Sequence, residues 1–212
     1  MMSVTNLLVL YYSRAGATRR LAELIAEGIE SVPDCQAILR TVPSVSAVCE
    51  ATEKSIPDEG SPYAQYSDLE LCDGLALGSP TRFGNMASAM KYFLDGSTAA
   101  WLSGALAGKP ACVFTSTGGM HGGQESTLLS MMLPLLHHGM LMVGLPYSNH
   151  ELSTTTSGGT PYGASHVAGE RGQLPITAEE QKQCPRAQRC QIAFLSQNPT
   201  PHRSPVCRRR IP

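Results

Sequence analysis

Asn6 to Tyr12 (NLLVLYY) is an unbroken apolar run bounded by polar residues, the pattern of a parallel strand buried on both faces. From Ala17 to Glu30 the apolar residues Leu21, Leu24, Ile25 and Ile29 recur at helical spacing. Gln36 to Val42 reads as a second strand, and residues 43–67, polar and punctuated by Pro57, Gly60 and Pro62, as an excursion loop. The rhythm then repeats. A strand is predicted at 73–78 (DGLALG), a loop at SPTRFGN and a helix at MASAMKYFLDG; another strand follows at 109–116 (KPACVFTS). A glycine-rich loop (TGGMHGGQ), a helix with Pro134 inside it (ESTLLSMMLPLLHH) and a fifth strand at 139–147 complete the series. Strand and helix alternating at this spacing predict an α/β fold, an open five-stranded parallel sheet with helices on both faces.

The pattern changes after that. Residues 148–175 are too rich in Gly, Ser and Thr to be core and read as a long excursion. A last helix is expected from Thr177, where T-A-E-E has the form of a capping box. Pro185, Pro199, Pro201, Pro205 and Pro212 then rule out a long helix, and no apolar period is sustained. The expectation is one domain over residues 1–183 and an atypical, largely disordered tail over 184–212.

Composition narrows the function. The 212 residues are 42% hydrophobic, 16% charged and 6% aromatic, with a formal net charge of −1. That balance carries no nucleic-acid footprint. No apolar run reaches the roughly 20 residues of a bilayer-spanning helix, and the N-terminus has no basic region of the signal-peptide kind. Seven cysteines with no CxxC spacing fit reduced thiols. Together these features point to a cytoplasmic protein.

Open parallel sheets bind ligands beyond the carboxyl ends of their strands, where the strand order reverses. The loops after the first, third and fourth strands are the ones enriched in Gly, Ser and Thr. The first, SRAGAT, has neither the Gly-Lys-Ser/Thr of a triphosphate loop nor a GxGxxG. It has two hydroxyls (Ser13 and Thr18), Gly16 and the bare N–H groups of a helix start, which suit one terminal phosphate. Read alone, it fits equally an ordinary strand-to-helix turn capped by Ser13. The loop GSPTRFGNM could be a surface turn, or could use Phe83 and Gly84 to edge a flat ring. The loop STGGMHGGQE could aim bare N–H groups at a carbonyl-rich heterocycle. His121, His137 and His138 have no carboxylate or cysteine at metal-ligand spacing.

Taken together, YYSRAGAT, GSPTRFGNM, TSTGGMHGGQE, LLHHGM and GGTPYGA resemble the WrbA family of flavodoxin-like NAD(P)H:quinone oxidoreductases over residues 5 to 183. The resemblance implies a flavodoxin-like sheet of order 2-1-3-4-5, with FMN as cofactor and NADH or NADPH as electron donor. Ser13, Arg14, Ala15, Gly16, Ala17 and Thr18 would wrap the FMN phosphate. Pro80, Thr81, Arg82, Phe83 and Gly84 would edge the isoalloxazine. Ser116, Thr117, Gly118, Gly119, Met120 and His121 would meet its pyrimidine side, and His137 would close over it. Trp101 matches a residue that family members place at the substrate pocket. The family often has an aromatic residue where Ala15 stands. The implied reaction is two-electron (hydride) transfer to a quinone in a ping-pong cycle, and family members are typically tetramers whose sites are completed by neighbouring subunits. No protein nucleophile or metal is expected.

Two other classes remain at this level. A flavodoxin-type one-electron carrier would dock through a strongly acidic face, which a net charge of −1 does not favour. A non-enzymatic interaction protein would need a recognition element, and beyond the terminal RRR the sequence shows none.

Overall fold

A computed structural model describes residues 4–45 and 57–183. The 184–212 tail lies outside them, as does part of the 43–67 loop. The chain forms β1 (Thr5–Tyr11), α1 (Ala17–Glu30), β2 (Cys35–Thr41), α2 (Tyr66–Leu71), β3 (Gly74–Pro80), α3 (Ser88–Asp95) and α4 (Thr98–Ser103). It continues with β4 (Pro110–Thr117), α5 (Gln124–His137), β5 (Leu141–Met142), α6 (Glu151–Thr154) and β6 (Ala164–Val167).

All strand pairs are parallel, in the order β2-β1-β3-β4-β5. The expected five-stranded order is therefore present, and the reason is visible in β1. Leu8 and Leu10 point into one apolar cluster with Leu75, Leu77, Val113, Met90, Leu128 and Leu135. Leu7, Val9 and Tyr11 point into the other, with Ala76, Phe114, Leu21 and Ile25. A strand that alternates between two buried layers must be apolar throughout, which is why the run reads as continuous. Gly78 is paired with Phe114 of β4 and leaves room for its ring: a Cβ there would lie 2.1 Å from it.

Two expectations need correction. The strand expected at 139–147 pairs with β4 only at Leu141 and Met142. After Val143 donates to Ala111 O, the chain turns away at Gly144, where a Cβ would lie 2.5 Å from Pro161 O. The rest of that sheet edge is filled by β6, which pairs Phe114↔Ala164 through Thr117↔Val167. The 148–175 excursion thus includes a core strand. Its Ala164, Ser165 and His166 are buried, but two of the three are polar, so no apolar run announces them. The helix expected after the third strand is α3, closed at Gly96 as its sequence suggests, and a separate short helix carries Trp101.

α5 runs through Pro134 near its end and stops at Gly139, whose φ of +77° closes a Schellman motif. Met140 N donates to Leu135 O and Gly139 N to Leu136 O. Thr177 begins the last helical segment as the T-A-E-E pattern predicts: Glu180 N donates to Thr177 Oγ1 and Thr177 N to Glu180 Oε2.

Candidate functional site

The loops after β1, β3 and β4 lie at the carboxyl edge of three adjacent strands and are tied to one another. Register pairs Pro80 with Ser116, and Thr81 N donates to Ser116 O at 2.9 Å. Thr18 Oγ1 and Ser116 Oγ are 3.0 Å apart, both buried, so the start of α1 is fastened to the end of β4. Thr81 Oγ1 meets Thr127 Oγ1 at 2.6 Å, which fastens the β3 loop to α5.

The first loop turns on Gly16, the N-cap of α1, at φ +89° with open space where a Cβ would be. Gly16 N donates to Ser13 Oγ at 3.1 Å. Among the described residues no side chain caps α1, and no acidic residue lies in its first turn. Arg14 and Ala15 are exposed on the loop's outer side, and Ala17 is half-buried. Unsatisfied N–H groups, the positive end of a helix and no competing carboxylate are the donor set a phosphate monoester requires.

The second loop is a tight turn. Arg82 N donates to Asn85 O and Asn85 N to Arg82 O, with φ of +51° at Phe83 and +75° at Gly84. Two positive φ angles at the central positions are those of a type I′ turn. Glycine takes this conformation freely and phenylalanine does not. Phe83 is nevertheless held there with its ring wholly in solvent (107% exposed). Gly84 sits against α5, where a Cβ would be 2.8 Å from Ser126 Oγ, and a Cβ on Gly123 would be 3.0 Å from Gly84 Cα.

The third loop is shaped from below. Thr117 Oγ1 donates to Gly119 O, and the buried Gln124 donates through Nε2 to Met120 O while its Oε1 accepts from Ser165 Oγ. Gly118, Gly119, Met120 and His121 are left exposed on the rim.

A fourth segment, within the 148–175 excursion, borders the first and third loops. A Cβ on Gly172 would be 3.4 Å from Ala15 Cβ, and one on Gly118 would be 3.7 Å from Gly169 O. The turn at 169–172 is positioned by a buried polar cluster. Glu180 accepts from His166 Nδ1 (2.8 Å), Ser157 Oγ, and the N–H groups of Gly158, Val167 and Thr177. Burial would raise the Glu180 carboxyl, but these hydrogen bonds, led by His166 and Ser157, hold it down at about 2. GGTPYGA is visible in the sequence; the contacts that follow it are not, because they join residues more than 150 positions from the first loop.

Trp101 and His137 are brought together, but elsewhere. Trp101 Nε1 donates to His137 O at 2.9 Å. His137 ends the 14-residue α5, so it lies about 20 Å along the helix from the third loop. Within one chain it cannot close over a ligand held by the three loops. His138 beside it meets Ser97 Oγ at 3.0 Å, and burial and then the neighbouring His137 lower its pKa.

Comparison with known proteins bears on the family and the fold. Residues 5–152 match the family described as NADPH-dependent FMN reductase. An NAD(P)H dehydrogenase (quinone) from Syntrophobacter fumaroxidans is 46% identical over 174 residues, covering 79% of this chain and 85% of that one. A protein of the same description from Geobacter sulfurreducens is 43% identical over 175 residues, covering 79% and 86%. Among solved structures, the flavodoxin, WrbA-like protein from Agrobacterium tumefaciens superposes with a TM-score of 0.64 at 24% identity, covering 92% of this chain and 98% of that one. The flavodoxin-like fold and the match across most of its length show that the chain belongs to the NADPH-dependent FMN reductase family.

Proposed function

We propose that this protein is an FMN-dependent NAD(P)H:quinone oxidoreductase. The observation that carries the reading is the convergence of three glycine-bearing loops at one sheet edge, with an uncapped helix start at one end and the exposed Phe83 at the other. Ser13 to Thr18 would hold the FMN phosphate by N–H donors and the α1 dipole. Pro80 to Gly84 would border the ring, and Ser116 to His121 would present N–H groups to its pyrimidine edge. Bound there, FMN supplies the two-electron chemistry between nicotinamide and quinone. The protein's part is to bind, orient and exclude water. The type I′ turn holds Phe83 as an apolar wall, and the Gln124 clamp on Met120 keeps the third loop in shape.

Trp101 and His137 enter the reading through a second copy of the chain. Leu129, Leu133 and Leu136 are exposed along α5, with Trp101 and Leu102 exposed on α4. An apolar surface of this kind supports assembly, and a neighbouring subunit could bring the Trp101–His137 pair to a site that its own chain cannot reach. The expected assembly is a homotetramer.

The test is a titration of the apoprotein with FMN and FAD, followed by NADH- and NADPH-dependent reduction of a benzoquinone. FMN bound more tightly than FAD, and FMN-dependent quinone reduction, are expected. A protein that binds FMN but oxidises neither nucleotide would be an electron carrier, and the reading would fail.

A further inference from the structure

Beside the three loops, on the α3 side, lies a cavity of about 620 Å³ lined by Tyr12, Arg14, Arg82, Asn85, Ser88 and Lys91. Three of these six are cations, and no lining residue is acidic. Arg14 makes no hydrogen bond or ion pair among the described residues. Arg82 uses one donor, Nη1, on Thr81 O, leaving the rest of its guanidinium. Lys91 pairs with Asp95 one turn further along α3; both are exposed, and such a pair is readily exchanged for a better partner. The eight-residue α3 opens into the same space. Its N-cap, Ala87, also lines the cavity and offers no side-chain cap, and its first turn has no acidic residue.

We propose that this cavity binds a phosphate group of the nicotinamide dinucleotide that serves as electron donor. The inference rests on the oxidoreductase reading above and adds a site to it. FMN has a single phosphate, and the loop before α1 provides for it at Ser13, Gly16 and Thr18; of that loop only Arg14, which borders both places, lines the cavity. A quinone carries no charge. The remaining reactant is the anionic one, and it bears a pyrophosphate and, in NADPH, a 2′-phosphate besides. Arg82 and Asn85 belong to the turn that carries Phe83, so one wall is shared: a nicotinamide stacked at the flavin ring would trail its phosphates toward Arg82, Arg14 and Lys91. A site of this kind would hold a phosphate by Arg and Lys donors and the N–H groups of a helix start.

The experiment uses the full-length, FMN-loaded protein and its Lys91→Glu and Lys91→Met variants. Calorimetric titration with 2′,5′-ADP, ADP and adenosine reads the cavity directly, and KM values for NADPH and NADH read it in turnover. Charge reversal at Lys91 is expected to weaken the phosphate-bearing nucleotides about tenfold, with the neutral variant between it and the wild type. A loss confined to 2′,5′-ADP and NADPH assigns the cavity to the 2′-phosphate; a loss shared by ADP and NADH assigns it to the pyrophosphate. Adenosine bound as tightly as the nucleotides, or KM values and affinities within twofold of wild type in both variants, would overturn the proposal. If neither nicotinamide nucleotide is oxidised, the oxidoreductase reading fails on that ground, while the titrations still decide whether the cavity takes a phosphate.

Discussion

Phe83 stands at φ +51° with its ring in solvent, a position where an L-residue costs roughly 1–2 kcal/mol and gains no burial in return. Strain of this sort is retained where it positions something. Phe83→Gly is therefore expected to raise the apoprotein's unfolding free energy by about 1 kcal/mol while weakening FMN about tenfold through loss of the ring contact. Urea denaturation of the apoprotein and a flavin fluorescence titration read the two effects separately; a variant that loses both stability and affinity would show the turn to be structural. Thr18 makes the opposite case. Its hydroxyl is buried against Ser116 Oγ, so Thr18→Val strands a partner inside the protein. A stability loss of about 1–3 kcal/mol and weaker FMN binding should appear together in thermal melts and titrations. An unchanged melt with weaker binding would mean that the hydroxyl serves the phosphate alone.

At the scale of elements, the join between β6 and the last helical segment is electrostatic. Glu180 is fully buried and hydrogen-bonded, with its carboxyl held at about 2 against an ordinary value of 4.5. A depressed carboxylate stabilises the fold above its unfolded pKa and loses that contribution as pH falls through the folded one. About 3 kcal/mol should therefore disappear between about pH 4.5 and pH 2. Urea midpoints across that range should fall in the wild type and stay flatter in Glu180→Gln. Equal slopes would show that other carboxylates govern acid unfolding. Because this join sets the 169–172 turn against Ala15 and Gly118, the variant should also bind FMN more weakly.

For the whole molecule, the exposed Leu133 on α5 and the Trp101–His137 pair at its end predict that the site is completed between chains. Leu133→Glu should shift the assembly toward smaller species by analytical ultracentrifugation. It should also lower kcat/KM for quinone by more than it lowers FMN affinity, since Leu133 is remote from the three loops. A variant that dissociates and keeps full activity would assign the whole site to one chain.

How much of this could be read from the chain alone follows from how local each signal is. β1, β3 and β4 declare themselves because a strand buried between two layers must be apolar throughout, and α1 because a helix with one face on the sheet repeats apolar residues at its own period; the glycine-bearing loops lie at the ends of those strands. The T-A-E-E cap is likewise complete within four residues. β6 is the counter-example. Ser165 and His166 are buried because Gln124, Glu180 and the free half of β4's edge receive them, and that reception is a property of distant chain segments. For the same reason the sequence names Trp101 and His137 as site residues without saying where they lie. The length and direction of α5 carry them to the far end of the sheet, and the cationic cavity exists only because β1 and β3 are neighbours, which brings Arg14 beside Arg82 and Lys91. Periodicity and turn chemistry decide the elements; which polar side chains may be buried, and which cations share a pocket, is decided by tertiary contact, because burial of a polar group is stable only where the fold supplies its partner.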